Sequence, residues 1–154
     1  MGEWKPGGDI AEFIAARLDE DEQIAQAAGP GKRAQWTYRG EHDNETGGEV
    51  YALDVADYVT MDSEGLTPAV EPNDGHHIAR HDPARTLRQV ERDRKVLARH
   101  TKQDTTGMIV IGGGGDVCTG CGVSNGHRAW PCAEVRDLAA IWADHPDYEQ
   151  EWNT

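Results

Sequence analysis

All three cysteines of the 154-residue chain lie in one short stretch, which reads DVCTGCGVSNGHRAWPC. Two residues separate Cys118 from Cys121 and a glycine follows, a pattern typical of a zinc knuckle in which two thiolates bind one tetrahedral ion. Cys132 follows a proline at the start of a predicted helix, where the helix N-terminus favours the thiolate. We therefore predict that Cys118, Cys121 and Cys132 bind a structural zinc ion. The alternatives are buried, inert thiols or a nucleophilic or redox use of these cysteines.

A tetrahedral site needs a fourth ligand, and the chain offers several histidines for it. His127 gives the spacing C-x2-C-x5-H-x4-C, one residue longer in its middle spacer than the nucleic-acid-binding zinc knuckle. His100 would join the end of a long predicted helix to the cysteines. His77 and His81 are an i, i+4 pair, and His145 ends the last predicted helix. The residues alone leave this choice open.

Two other stretches have residue types that enzymes use. IGGGGDV follows an apolar segment, as phosphate-binding loops do, but it lacks their Lys-Ser/Thr pair and leads into the cysteines instead of a helix. HIARHD contains His77, His81 and Asp82, which are residue types found in catalytic metal sites. Asp82 is better explained as a helix cap, and no H-E-x-x-H motif accompanies the histidines. We therefore assign no catalytic residue.

The pattern of apolar residues predicts the elements that position these side chains. A capped helix is expected over residues 9–28, a β-hairpin over 34–60, a loop over 61–74 and a helix over 76–100. Within the last of these, Asp82 and Pro83 form an N-cap and a first helical residue, so the regular helix should run from about Pro83 to His100. The zinc knuckle, a short strand at MIVIG and a C-terminal helix follow within 108–154. This order predicts one small α+β domain over residues 1–154.

The helix expected from Pro83 has two unlike faces. Its apolar stripe contains Leu87, Val90 and Leu97. Nearly opposite is a set of cations that we call the basic face: Arg85, Arg88, Arg92, Lys95 and Arg99, with Lys102 just beyond. This face is either solvated, neutralised by the acidic residues 19–22, or a docking surface for an acidic protein or a nucleic acid. No aromatic residues are interleaved with these cations, so a protein partner is favoured over single-stranded nucleic acid.

The composition limits the classes of protein that fit. The chain has 28 acidic and 15 basic residues and a formal net charge of -13, so non-specific nucleic-acid binding by the whole chain is disfavoured. Only the stretch over residues 76–102 is strongly basic, with eight basic and three acidic side chains. No apolar run is long enough to cross a membrane, and the first residues lack a charged-then-apolar leader. An odd number of cysteines without a leader favours a reduced, cytoplasmic protein.

Three blocks of the sequence resemble a known family. DIAEFIAARLDEDEQIAQAA, HHIARHDPARTLRQVERDRKVLARH and WPCAEVRDLAAIWADHPDYEQEW are similar, in order and wording, to an uncharacterised family of short actinobacterial and actinophage proteins. Its members typically have the HIARHDPAR helix ending in His, then C-x2-C, then Pro-Cys before the terminal helix. The resemblance implies His100, Cys118, Cys121 and Cys132 as the metal ligands. His127, which the local spacing suggests, stays the alternative fourth ligand. It implies no established activity.

Together these observations predict a non-enzymatic, zinc-stabilised binding or adaptor protein with a phage-linked or regulatory role. The favoured partner is a protein, and no membrane association is expected. The first alternative is a nucleic-acid-binding protein that uses the basic helix over residues 83–102. The second is a metal-dependent enzyme built around His77 and His81.

Overall fold

The computed structural model describes residues 8–40, 47–55, 57–60, 69–106, 115–121 and 129–153. Within these ranges the chain forms four α-helices and two small antiparallel sheets, which confirms the predicted α+β class. No helix in the described ranges is long and apolar enough to cross a membrane. The chain divides into two compact units, Glu20–Val90, and Met1–Asp19 together with Glu91–Thr154. One domain over residues 1–154 stays a prediction.

The unit over residues 20–90 contains the predicted hairpin. Strands β1 (Trp36–Gly40) and β2 (Gly48–Ala52) pair antiparallel, and a two-residue strand β3 (Asp57–Tyr58) extends the sheet in the order β1-β2-β3. Helix α2 (Pro72–Arg80) packs against β1 and β2. It can approach closely because Gly75 faces the ring of Tyr38, and any side chain at position 75 would collide with that ring. Residues 41–46, which come between β1 and β2 in the sequence, lie outside the described residues.

The helix predicted over 76–100 is two helices, so that prediction is wrong in its extent. Helix α2 ends at Arg80 and α3 (Pro83–Arg99) begins three residues later. Proline has no N–H to continue α2, and the Asp82 carboxylate caps α3 by accepting the Arg85 N–H at 2.7 Å. The predicted loop over 61–74 is also too long, because α2 starts at Pro72; residues 61–68 lie outside the described residues.

The other unit is built on the first half of α1 (Ile10–Ala28) and the chain from residue 91 onward. Asp9 caps α1 as predicted, because its carboxylate accepts the Ala11 N–H at 2.8 Å. The core of this unit forms around Phe13, which is 1% exposed and meets Trp152 and Tyr148 with ring centroids 5.0 and 6.0 Å away.

Two short strands, β4 (Lys102–Asp104) and β5 (Asp116–Cys118), pair antiparallel in this unit. The sequence pattern did not predict them, and the strand predicted at MIVIG lies outside the described residues. Helix α4 (Ala133–Ala139) is shorter than predicted, because the chain tightens into a 3-10 turn over Ala140–Trp142. These elements position the cysteines.

Candidate metal centre

The pairing of β4 with β5 brings the first cysteine to His100. Helix α3 ends at Arg99, His100 follows, and β4 begins two residues later. In the register of the two strands Lys102 lies opposite Cys118. The Thr119 N–H donates to the Thr101 carbonyl at 2.9 Å and continues the pairing toward His100. The end of α3 and the cysteine knuckle are therefore held side by side by backbone hydrogen bonds.

Gly120 allows the knuckle to lie against the end of α3. The knuckle closes as a 3-10 turn over Thr119–Cys121. A Cβ atom at position 120 would collide with the carbonyl oxygen of Arg99 and would lie 3.0 Å from Nδ1 of His100. A side chain at this position would push the turn away from the histidine. Position 120 of the C-x2-C motif therefore requires glycine, because a side chain there would collide with the end of α3.

Cys132 reaches the same point from the start of α4. It occupies the N-cap position of that helix. The segment before it lies beside β5, since the Trp130 N–H donates to the Asp116 carbonyl at 3.0 Å and Ala129 forms a bridge with Val117. Cys132 and Cys118 are buried, and Cys121 is half-buried.

The four side chains form one compact group of ligand atoms. Nδ1 of His100 lies 3.4 Å from Sγ of Cys118, 3.6 Å from Sγ of Cys121 and 3.5 Å from Sγ of Cys132. No two of the four ligand atoms are more than 4.8 Å apart. Zinc binds sulfur at about 2.3 Å and nitrogen at about 2.0 Å, so a tetrahedral angle places these two ligands about 3.5 Å apart. The three nitrogen–sulfur distances fit a tetrahedral ion.

The electrostatics of the group disfavour thiolates as long as no cation is present. Burial, together with the neighbouring sulfurs of Cys132 and Cys118, raises the pKa of the Cys121 thiol to about 12. Burial also raises the pKa of Cys132, and it outweighs the N–H of Val135, which favours the thiolate. Without a cation these two thiols are therefore protonated at neutral pH. A divalent ion at their centre supplies the charge that stabilises thiolates.

Comparison with known proteins places the chain in a family. Residues 7–154 match a family of unknown function, DUF6221. The chain belongs to this family. This confirms the predicted resemblance to a family without a known function. No curated protein and no solved structure matches the chain.

In this DUF6221 protein the predicted ligands Cys118, Cys121, Cys132 and His100 come together as one group. The alternative ligand His127 lies outside the described residues. Among the residues that the structure describes, this is the one group of three or more metal-binding side chains, and His77 and His81 are not part of it.

The other histidines have their own contacts. His77 and His81 lie at the end of α2 with ring centroids 4.5 Å apart. His145 accepts the Asp147 N–H at 3.1 Å through Nδ1, contacts the guanidinium of Arg17 through Nε2, and packs against Phe13. These contacts explain His145 as a structural residue of its unit.

The basic face lies on α3, and all five of its side chains are exposed. On the apolar stripe, Val90 is buried and Leu87 and Leu97 are half-buried, so the predicted division into two faces is observed. Within the basic face, Lys95 pairs with Glu91 at 2.6 Å. Among the described residues Arg85, Arg88 and Arg99 form no ion pair.

Two ion pairs around the basic face were not expected from the sequence. Arg92 pairs at 2.6 Å with Asp93, a carboxylate that is only 1% exposed. Asp19, at the start of the acidic stretch over residues 19–22, pairs at 2.6 Å with Arg94, which is not one of the five residues of the basic face.

Proposed function

We propose that this protein is a non-enzymatic, zinc-stabilised binding protein, in which His100 and the three cysteines hold one structural Zn²⁺. The observation that carries the proposal is the set of nitrogen–sulfur distances. All three lie between 3.4 and 3.6 Å, where two ligands of one tetrahedral zinc ion are expected. A neutral imidazole nitrogen has one N–H or one lone pair and makes one good hydrogen bond, so three sulfurs around the same nitrogen are better explained by a shared ion.

The ligand types favour zinc and a structural role. Thiolates and imidazole are soft or borderline ligands, which select zinc, Cu(I) or iron over magnesium, calcium or manganese. Three thiolates and one imidazole are a known structural zinc set. Four protein ligands complete a tetrahedron and leave no position for a water or a substrate, whereas catalytic zinc keeps one open. The ion would therefore serve the fold and not a reaction.

The ion would join three separate pieces of one unit. His100 lies directly after α3, Cys118 and Cys121 belong to β5 and the turn that follows it, and Cys132 precedes α4. Each piece is short: β4 and β5 have three residues each and α4 has seven. Elements of this length are not stable in isolation, so a bound ion would supply free energy of folding that the small core does not.

The binding role rests on the basic face. Five cations are exposed on one helix of a chain whose formal net charge is -13. Apart from Arg92, which pairs with the buried Asp93, exposed charges of this kind contribute little to folding, but they steer and orient an oppositely charged partner. We propose an acidic protein surface as that partner. A reducing compartment such as the cytoplasm suits the site, since the three cysteines are free.

The experiment that tests the metal site is elemental analysis combined with native mass spectrometry of the purified protein. One zinc per chain is expected. His100→Ala and Cys132→Ser should each lower zinc content and the melting temperature, whereas His76→Ala, which changes an exposed histidine of α2, should leave the zinc content unchanged.

Two results would contradict the proposal. Fully folded protein that carries no metal would refute the zinc site. Loss of zinc in His127→Ala with full retention in His100→Ala would show that the local knuckle spacing selects the fourth ligand. Cobalt substitution gives an independent check, because tetrahedral cobalt bound to thiolates has intense visible absorption that an octahedral ion lacks.

A further inference from the structure

An open cavity of about 440 Å³ lies beside the metal centre, between the first half of α1 and the last part of α3. Its volume falls within the range of small-molecule binding sites, about 300 to 1,000 Å³. The apolar part of its lining consists of alanines and larger apolar side chains: Ala11, Ala15, Leu18, Leu97, Ala98 and Trp130. All lining residues belong to the same unit as the cysteines.

An ion pair lies at each end of the α1 segment that lines the cavity. One pair joins this segment to α3 and the other joins it to β4. Asp19 pairs with Arg94 of α3 at 2.6 Å. Ten residues earlier, Asp9 lies 3.6 Å from Nζ of Lys102 and accepts the indole N–H of Trp130 at 3.2 Å. Ten residues of helix span about 15 Å, so the space between the two pairs has the length of a small ligand.

Most of the charges on the lining are already paired. Lys102 also pairs with Asp116 at 2.8 Å, which raises the pKa of its ammonium group. Glu12, one turn after Asp9, is exposed on the α1 wall, and no described residue forms an ion pair with it. The cavity therefore combines an apolar lining with one carboxylate that is unpaired among the described residues, which is complementary to an apolar molecule that carries one positive charge.

We propose that this cavity binds a small primary amine with an apolar body. The ammonium group would pair with Glu12, and the hydrocarbon part would cover Ala15, Leu18 and Trp130. The inference goes beyond the zinc site and the basic face, although His100 contributes to the lining and so places the ligand next to the metal centre.

The test is a titration of the protein as purified, followed by NMR of its backbone amides and tryptophan indoles. The probes are n-hexylamine, n-hexanol and n-hexanoate, which share a hydrocarbon tail and differ in charge. Saturable shifts are expected at Ala15, Leu18 and the Trp130 indole. Hexylamine should bind about fivefold more tightly than hexanol, which is the effect of one partly exposed ion pair. Hexanoate should bind most weakly.

Chain length gives a second readout. Each buried methylene contributes about 0.8 kcal/mol, so affinity should rise about three- to fourfold per carbon from butylamine to hexylamine. A probe that is attracted to surface charge alone would show no such dependence.

Matched variants test whether the probes bind in this cavity or elsewhere on the protein. Ala15→Leu fills the space and should abolish binding, whereas Ala27→Leu changes another exposed alanine of α1 outside the cavity and should not. Ala98→Leu fills the space from the opposite wall, should a leucine at position 15 disturb folding. Glu12→Gln should remove the preference for hexylamine over hexanol and keep the binding of hexanol.

Three results would overturn the proposal: no saturable binding of any probe, unchanged binding in both filled variants, or equal binding of hexylamine and hexanol by the unmodified protein. Zinc content is measured on every sample. Binding by protein that carries no zinc would support the amine site and refute the proposed zinc site, so the two conclusions fail separately.

Discussion

The guanidinium of Arg92 lies 2.6 Å from the carboxylate of Asp93, its neighbour in α3, which is almost fully buried. Arg92, one of the five cations of the basic face, therefore neutralises a buried carboxylate. A buried carboxylate that loses its partner is costly, whereas an exposed cation without a partner is not. Residues that look equivalent in sequence thus differ in their effect on folding.

Arg92→Gln should accordingly reduce the free energy of unfolding by about 1–3 kcal/mol, since it leaves Asp93 buried without its cation. Arg88→Gln, one turn earlier and exposed, is the matched control and should change stability by less than about 0.5 kcal/mol. Urea unfolding of the two variants measures the difference. Equal stability of both would show that the Arg92–Asp93 pair does not contribute to folding.

The close approach of Gly120 to the end of α3 predicts an unusual sensitivity at that position. Gly120→Ala forces a Cβ against the Arg99 carbonyl and should lower stability by about 1–3 kcal/mol, with a parallel loss of zinc affinity. Gly115→Ala is the control, since a Cβ there meets no atom within 4 Å. Thermal unfolding and competition with a zinc-binding dye give the two readouts. A Gly120→Ala protein with unchanged zinc affinity would contradict the geometry of the knuckle.

The raised thiol pKa values predict opposite pH dependences with and without metal. In the metal-free fold burial raises the pKa of Cys121 to about 12 and also raises that of Cys132, whereas thiols of an unfolded chain titrate near about 8.5. Above that pH the unfolded metal-free chain binds fewer protons than the folded chain, so the stability of the metal-free protein should fall as the pH rises.

With zinc bound, the dependence of stability on pH has the opposite sign. The ligands are thiolates in the folded state and take up protons on unfolding below about pH 8.5, so stability should rise from pH 6 to pH 8. Urea unfolding of zinc-loaded and chelator-treated protein between pH 6 and pH 10 tests both slopes. If the chelated chain is unfolded throughout, zinc affinity should still rise with pH over the lower range. A zinc-loaded protein whose stability does not depend on pH would exclude thiolate ligation.

The parts of the structure that sequence reasoning predicted are those that depend on near neighbours. The caps at Asp9 and Asp82, and the start of α3 at Pro83, follow from bonds between a side chain and the backbone two or three residues away. The β1–β2 hairpin follows from two segments rich in β-branched and aromatic residues.

The parts that were missed depend on distant contacts. Strand β4 reads Lys-Gln-Asp, is exposed throughout and has no alternating pattern, so it forms only because β5 lies beside it. The role of Gly120 depends on its contact with Arg99 at the end of α3, which is distant in the sequence. For Asp93 a signal was present: it follows Val90 by three residues and precedes Leu97 by four, which places it on the apolar stripe of the helix and predicts its burial.

The basic face supplies the last prediction, and the Arg92–Asp93 pair determines how it must be tested. A variant in which Arg85, Arg88, Lys95 and Arg99 are changed to Gln removes four exposed cations and spares Arg92. The only ion pair that it breaks among the described residues is the exposed Lys95–Glu91 pair, which contributes little to stability, and Gln is a good helix former. Zinc content and melting temperature should therefore stay close to those of the unmodified protein.

Binding should change instead. An acidic protein that docks on the basic face should lose affinity for the four-residue variant, and the remaining binding should depend less on salt because fewer charge pairs contribute. Polyglutamate is a suitable first probe of an acidic protein surface, and a short duplex DNA is the comparison that tests the nucleic-acid alternative. Salt-sensitive retention of polyglutamate that the four substitutions abolish would support the proposed binding role. Equal retention by the variant and the unmodified protein would leave the basic face as a solvated surface and refute that role, and retention of DNA alone would favour the nucleic-acid alternative.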